Sequence, residues 1–170
     1  MITIAVCVLL IVIGIIITYC YSIFYDVPYV PTPKPIARQM LKMSELKPDE
    51  LLYDLGSGDG RILIMAAREF GAKCVGYELN FFRYKLSNWR IKRIGLSKQI
   101  KVVRSNFFEA NLSHADVVFM YLLPSINEKL KPKLTKELKK GARVVTFSFI
   151  MKEWKAHKFD DELKIYLYKI

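Results

Sequence analysis

No Asp, Glu, Lys or Arg occurs before Asp26. Cysteine is scarce at three residues, Cys7, Cys20 and Cys74, and two of them lie in that uncharged stretch. Three scattered thiols form neither a disulfide framework nor a zinc-binding spacing, and they suit a reducing compartment. Histidine is limited to His114 and His157, far apart and with no Cys or carboxylate grouping around them. No metal site is expected. The chain also lacks internal repeats and long low-complexity tracts.

What the first 25 positions do hold is an apolar run, Ile2–Ile23, dominated by Ile, Val and Leu. About 20 such residues are needed to cross a bilayer core as a helix. Tyr19, Tyr21 and Tyr25 crowd one end, as an interfacial aromatic belt does. A cleaved signal peptide would need a basic start and a small-residue cleavage site. Here no Lys or Arg precedes Lys34, and the core is followed by Tyr-Cys-Tyr-Ser-Ile-Phe-Tyr. A buried core helix seldom lacks a polar face over such a length. The run is therefore expected to be a single transmembrane anchor over residues 1–25.

All 27 Lys and Arg follow it, against 16 acids, for a net charge of +11. The positive-inside rule then places residues 26–170 on the cytoplasmic, or matrix-equivalent, side. Such charge fits an anionic leaflet and equally fits nucleic acid, and composition does not choose between them.

Residues 26–35 (DVPYVPTPKP) hold four prolines and read as a linker without helix or central strand. From residue 36 the chain alternates. A short helix at Ile36–Ser44 precedes a strand at Leu51–Leu55, a helix at Arg61–Phe70 and a strand at Lys73–Glu78. A helix at Phe82–Ile94 and strands at Ile100–Arg104 and Ala115–Leu122 follow. The chain closes with a helix at Asn127–Lys139 and strands at Arg143–Phe149 and Lys164–Lys169. This alternation predicts an α/β, Rossmann-like domain over residues 36–170. It should have a mostly parallel sheet with helices on both faces.

The chemical signal is Tyr53-Asp54-Leu55-Gly56-Ser57-Gly58-Asp59-Gly60-Arg61, between a strand and a helix. Gly56, Gly58 and Gly60, with Ser57 among them, allow a tight turn and close ligand approach. The dinucleotide fingerprint G-x-G-x-x-G would need glycine at position 61, where Arg61 stands. G-x-G-x-G with an acid two residues ahead instead suits S-adenosylmethionine, which carries an amino-acid end and a sulfonium and no pyrophosphate. Asp54 is placed to meet the cofactor's amino group. Glu78 ends the next strand about 20 residues on, where an acid accepts bonds from ribose hydroxyls. Asp59 is either a base or a cap on the first helix turn.

These residues resemble the small protein-lysine methyltransferases, which include broad-specificity archaeal enzymes. The mitochondrial enzymes acting on the ATP synthase c subunit or the adenine nucleotide translocase are in the same group. Val27-Pro28-Tyr29-Val30-Pro31-Thr32-Pro33 resembles that family's N-terminal signature over the cofactor and substrate entrance. Asp54–Arg61 matches its glycine motif, and Asn106-Phe107-Phe108-Glu109 matches the segment flanking adenine. Leu122-Leu123, Asn127–Leu134, Arg143-Val144-Val145, Phe149 and Trp154 continue the likeness. One departure stands out: family members often read Ser-His-Glu/Asp-Phe after Arg-Val-Val, and here Thr146-Phe147-Ser148-Phe149 stands instead. The resemblance implies that Asp54, Gly56, Gly58, Glu78, Asn106 and Phe107 hold the cofactor. It also implies Tyr29, Thr32 and Tyr121 as the catalytic candidates lining the acceptor channel.

The expected activity is methylation of a lysine on a membrane or membrane-proximal protein. Tyr121-Leu122-Leu123-Pro124 lacks the Asn/Asp-Pro-Pro-Tyr/Phe of adenine-N6 enzymes. An RNA acceptor stays open because of the basic stretches Arg83–Arg93 and Lys129–Lys140. A lipid-like small molecule and a non-catalytic membrane-bound cofactor sensor are the further alternatives.

Overall fold

The computed structural model describes residues 6–16 and 30–170. The chain divides into two compact units, Met1–Val30 and Pro31–Ile170. In the first, residues 6–16 are helical (α1) and exposed. No helix among the described residues is long and apolar enough to cross a membrane. The remainder of the expected 2–23 span lies outside them.

The second unit begins with α2 (Lys34–Met43), so the proline-rich stretch enters a helix two residues earlier than its composition suggests. Pro35 sits in the first turn, where a missing N–H is harmless and a fixed φ is favourable. There follow β1 (Leu51–Leu55), α3 (Arg61–Phe70), β2 (Lys73–Tyr77), α4 (Phe81–Arg93) and β3 (Ile100–Val103). After a 3-10 turn at Phe107–Glu109 come β4 (Val117–Met120), α5 (Pro124–Glu137), β5 (Arg143–Phe147), β6 (Lys158–Asp160) and β7 (Ile165–Lys169). The strands form one sheet in the order β3-β2-β1-β4-β5-β7-β6. β1 to β5 pair in parallel, and β7 runs antiparallel to both β5 and β6. The mostly parallel α/β architecture expected from the sequence is thus present.

β4 is buried at all four residues, so both sheet faces are covered. Alternation along the strands sorts the core. Leu52, Val117, Phe119 and Val145 join Met40, Leu41 and Leu63 of α2 and α3 in one cluster. Tyr53, Leu55, Val118, Met120 and Val144 alternate with them and are equally buried. Cys74 is buried in β2, and desolvation pushes its thiol up to about 12, so it is unreactive.

Arg143 fastens α2 to the sheet. Its Nη1 donates to the carbonyls of Ser44 and Glu45 at 2.9 Å each, and its Nη2 pairs with Glu50 Oε1 at 2.6 Å. A cation there complements the carbonyl-rich end of α2. Arg143→Met keeps the apolar stem and deletes the fork. It is expected to destabilise the chain by about 2–3 kcal/mol, read as a lowered denaturant midpoint with unchanged slope.

Candidate active site

Strand order reverses between β1 and β4, so the carboxyl end of β1 opens on that point, with the carboxyl end of β2 next to it on the other side. Parallel α/β sheets bind ligands in the crevice outside that point. The turn from β1 to α3 is built on left-handed glycines, with φ of 89° at Gly56, 54° at Gly58 and 77° at Gly60. A side chain at those angles is strained, which explains the glycine spacing. The turn hangs from β2: Gly56 N and Ser57 N both donate to Tyr77 O, at 3.0 and 2.9 Å.

Glu78 completes the tie. Its Oε2 accepts from Gly58 N and its Oε1 from Asn80 N, both at 2.8 Å, while Arg83 Nε lies 3.3 Å away. The residue read from sequence as a ribose acceptor is thus also the clasp that holds the glycine turn. A carboxylate has about four acceptor positions, so bonding capacity remains for a ligand. Glu78→Gln would turn an NH2 toward one of two buried donors. The expected loss is about 1–3 kcal/mol of stability, with weaker cofactor binding, measured by thermal melts with and without cofactor.

Asp54 is buried, and its Oδ2 has no hydrogen-bond partner among the described residues. Desolvation, then the nearby Glu78 and Asp59, push its carboxyl up to about 8. An acid kept protonated by burial and by neighbouring carboxylates is suited to receive a cation. Asp59 differs. Its Oδ1 accepts from Arg61 N and Nε, and its Oδ2 from Arg61 Nη2 at 2.9 Å and Arg90 Nη1 at 2.5 Å. Burial works against its charge, but the bonds and charge of Arg61 and the charge of Arg90 outweigh it and hold it below the usual range. Asp59 is thus neither of the two things its position in the sequence suggests, a free base or the side-chain cap of α3, whose N-cap is Gly60; it fixes α4 to the turn.

The remaining sequence candidates are less tightly drawn together. Asn106 Oδ1 accepts from Phe108 N at 3.0 Å and caps the 3-10 turn that follows β3. Any bond donated by the Asn106 side chain to a cofactor must therefore come from its Nδ2. Phe107 is half-buried, its ring 5.0 Å from that of Phe108. Tyr121, just past β4, is half-buried with its ring centroid 4.7 Å from Phe147 of β5. Thr32 is buried ahead of α2. Tyr29 lies outside the described residues. In the departing segment, Thr146 Oγ1 donates to Phe149 O at 3.0 Å, and Ser148 adopts a φ of 64°. The hydroxyl is spent on folding the strand end back.

Sequence gives Asn127 no role of its own. It is 1% exposed in the first turn of α5, and its Oδ1 has no partner among the described residues. Its signal is faint, a lone amide in an otherwise polar helix start. Among the described residues no group of His, Cys, Asp or Glu could hold a metal ion.

The residues present fit the expected cofactor: a buried carboxyl with Oδ2 unpartnered among the described residues for an ammonium group, a turn with glycine at three of its five positions, and a second acid with acceptor capacity left. The family model for the ANTKMT methyltransferase domain matches residues 54–158. A protein-lysine N-methyltransferase of Saccharolobus islandicus is 47% identical over 129 residues, covering 75% of this chain and 80% of that protein. The adenine nucleotide translocase lysine N-methyltransferase of Mus musculus is 35% identical over 130 residues, covering 76% of this chain and 56% of that protein. A crystal structure described as an RNA methyltransferase from Salinibacter ruber with S-adenosyl-L-homocysteine superposes with a TM-score of 0.81. It is 40% identical and covers 83% of this chain and 94% of that one. With the glycine turn and its two acids lying inside the matched span, the chain belongs to the ANTKMT methyltransferase domain family.

Proposed function

We propose that this protein transfers the methyl group of S-adenosylmethionine to the ε-amino group of a lysine in a membrane or membrane-proximal protein. The single observation that carries the cofactor half is the buried Asp54 carboxyl, its Oδ2 unpartnered among the described residues, beside the turn clasped by Glu78. The lysine half rests on the 47% identity to an archaeal protein-lysine N-methyltransferase. The membrane rests on the uncharged run before Asp26, which we read as a single-pass anchor with the domain on the cytoplasmic or matrix-equivalent side.

When bound, the cofactor supplies a methyl group already activated on sulfonium. The residues of the chain then have three tasks. Asp54 takes the cofactor's ammonium group, and Gly56, Ser57, Gly58 and Gly60 admit its amino-acid end against the backbone. Glu78 adds ribose contacts to its clasp, and Asn106 and Phe107 border the base. Thr32 and Tyr121 border the acceptor channel, where loss of water lowers the lysine pKa so that a neutral amine attacks. Alignment of the two groups then supplies most of the acceleration, with no dedicated base.

An RNA acceptor is the second reading, favoured by the likeness to the Salinibacter structure and by the net charge of +11. The deciding experiment supplies methyl-labelled cofactor to the full chain with membrane and soluble fractions, then separates protein, RNA and small molecules. Acid-stable label recovered as methyl-lysine supports the proposal. Label confined to RNA or to the lipid extract overturns the lysine acceptor while leaving the cofactor site standing.

A further inference from the structure

α4 carries two opposed faces. Its buried residues are Ser87 and Ile91. At about 100° per residue, Phe82, Leu86, Trp89 and Arg93 fall within about 60° of arc on the opposite side. That outer stripe is left open: Phe82 is 68% exposed, Trp89 56% and Leu86 45%. Phe81, at the start of the helix, is 44% exposed. A surface helix ordinarily turns polar residues outward, so an apolar stripe pointing away from the core marks a binding face.

Basic groups frame the stripe. Lys85 Nζ lies 5.4 Å and Arg104 Cζ 5.2 Å from the Phe81 ring centroid, and Arg93 Cζ lies 5.2 Å from that of Trp89. The helix sequence, FFRYKLSNWRIKR, contains no acid. Its other arginines are engaged on the domain side, Arg83 with Glu78 and Arg90 with Asp59. The stripe of Phe82, Leu86, Trp89 and Arg93 therefore lies on a different side of α4 from the arginines that tie the helix to Glu78 and Asp59.

We infer that this face of α4 docks on an anionic lipid surface. Exposed Phe, Leu and Trp flanked by Lys and Arg, with no acid, are the composition of helices that lie in the bilayer interface. The cations complement anionic headgroups, and the aromatic rings suit the headgroup level. The uncharged N-terminal run of the same chain favours a membrane as the occupant over a soluble partner. The docking face rests on the anchor proposed above and adds to it a second contact, made by the domain itself.

The test uses the full chain carrying Trp154→Phe, which leaves Trp89 as the sole tryptophan. The protein is reconstituted with phosphatidylcholine vesicles, with or without phosphatidylglycerol, containing brominated acyl chains. Flotation reads the anchor, and Trp89 quenching reads the α4 face. Quenching and a blue shift in phosphatidylglycerol vesicles are expected. Both should be lost in Phe82→Ser with Leu86→Ser, and Lys85→Gln or Arg93→Gln should weaken docking roughly fivefold each. Floating protein whose Trp89 stays unquenched overturns the docking face and leaves the anchor intact. A Trp89 signal moved by RNA and not by brominated lipid also overturns it and assigns the face to nucleic acid.

Discussion

Replacing Asp54 with Asn is expected to make the cofactor-free protein more stable while making it a poor enzyme. The folded state keeps the Asp54 proton until about pH 8, because the carboxyl is buried beside Glu78 and Asp59. The unfolded chain releases that proton near pH 4. Between those values the unfolded state binds fewer protons, so wild-type stability falls as pH rises from about 4 to about 8. Below that window nothing is lost. The replacing amide has no proton to lose, so in Asp54→Asn the slope disappears, with a gain on the order of 3–5 kcal/mol at pH 8 and little at pH 4. Cofactor affinity moves the other way, by roughly 30-fold or more, because a buried ammonium loses its counter-charge. Urea melts across that pH range and a cofactor titration read the two effects separately.

Gly76→Ala is expected to damage the same site from outside it. Gly76 lies inside β2, and a Cβ there would fall 2.5 Å from Leu63 Cδ1, 2.6 Å from Ser57 Oγ and 2.7 Å from Ser57 Cβ. The strand is bare at this point so that α3 and the glycine turn can both seat on it. One extra methyl group must push back Leu63, which is fully buried, or Ser57, whose own N–H is bonded to Tyr77. The expected loss is about 2–3 kcal/mol, or roughly 5–10 °C in Tm, with weaker cofactor binding. In a Leu63→Ala background the same substitution should be less damaging, and a double-mutant cycle measures that coupling.

The glycine turn is legible in the sequence because its chemistry and its backbone demands coincide in one short stretch. Asp54, Gly56, Gly58 and Gly60 lie within seven positions, and three left-handed residues packed so closely into one turn call for glycine. Gly76 is visible only as part of a strand end, because its role depends on Leu63 and Ser57, which sequence spacing does not bring near. Asp59 stays ambiguous for the same reason, as Arg90 is 31 positions away. β6 escapes detection because Lys158–Asp160 is three residues long and mostly exposed, with no alternation to find. β4 is shorter than its apolar run, ending at Met120 although Leu122 is also buried beyond it. α5 starts at Pro124, three residues before its expected start at Asn127, since Pro is favoured in a first turn. Glu78 sits at the strand end as expected, but its clasp on Gly58 is a tertiary bond that no local pattern reports.

We propose that the buried, protonated Asp54 carboxyl receives the cofactor's ammonium group, and the proton count on binding tests this most directly. Calorimetric titration with S-adenosylhomocysteine at about pH 6.5, in buffers of different ionisation enthalpy, gives that count. Wild type is expected to release close to one proton, as Asp54 ionises against the ligand's ammonium group, and Asp54→Asn to release none. Tight binding by wild type with no proton released, or the same release from Asp54→Asn, would contradict the assignment of that end of the cofactor to Asp54.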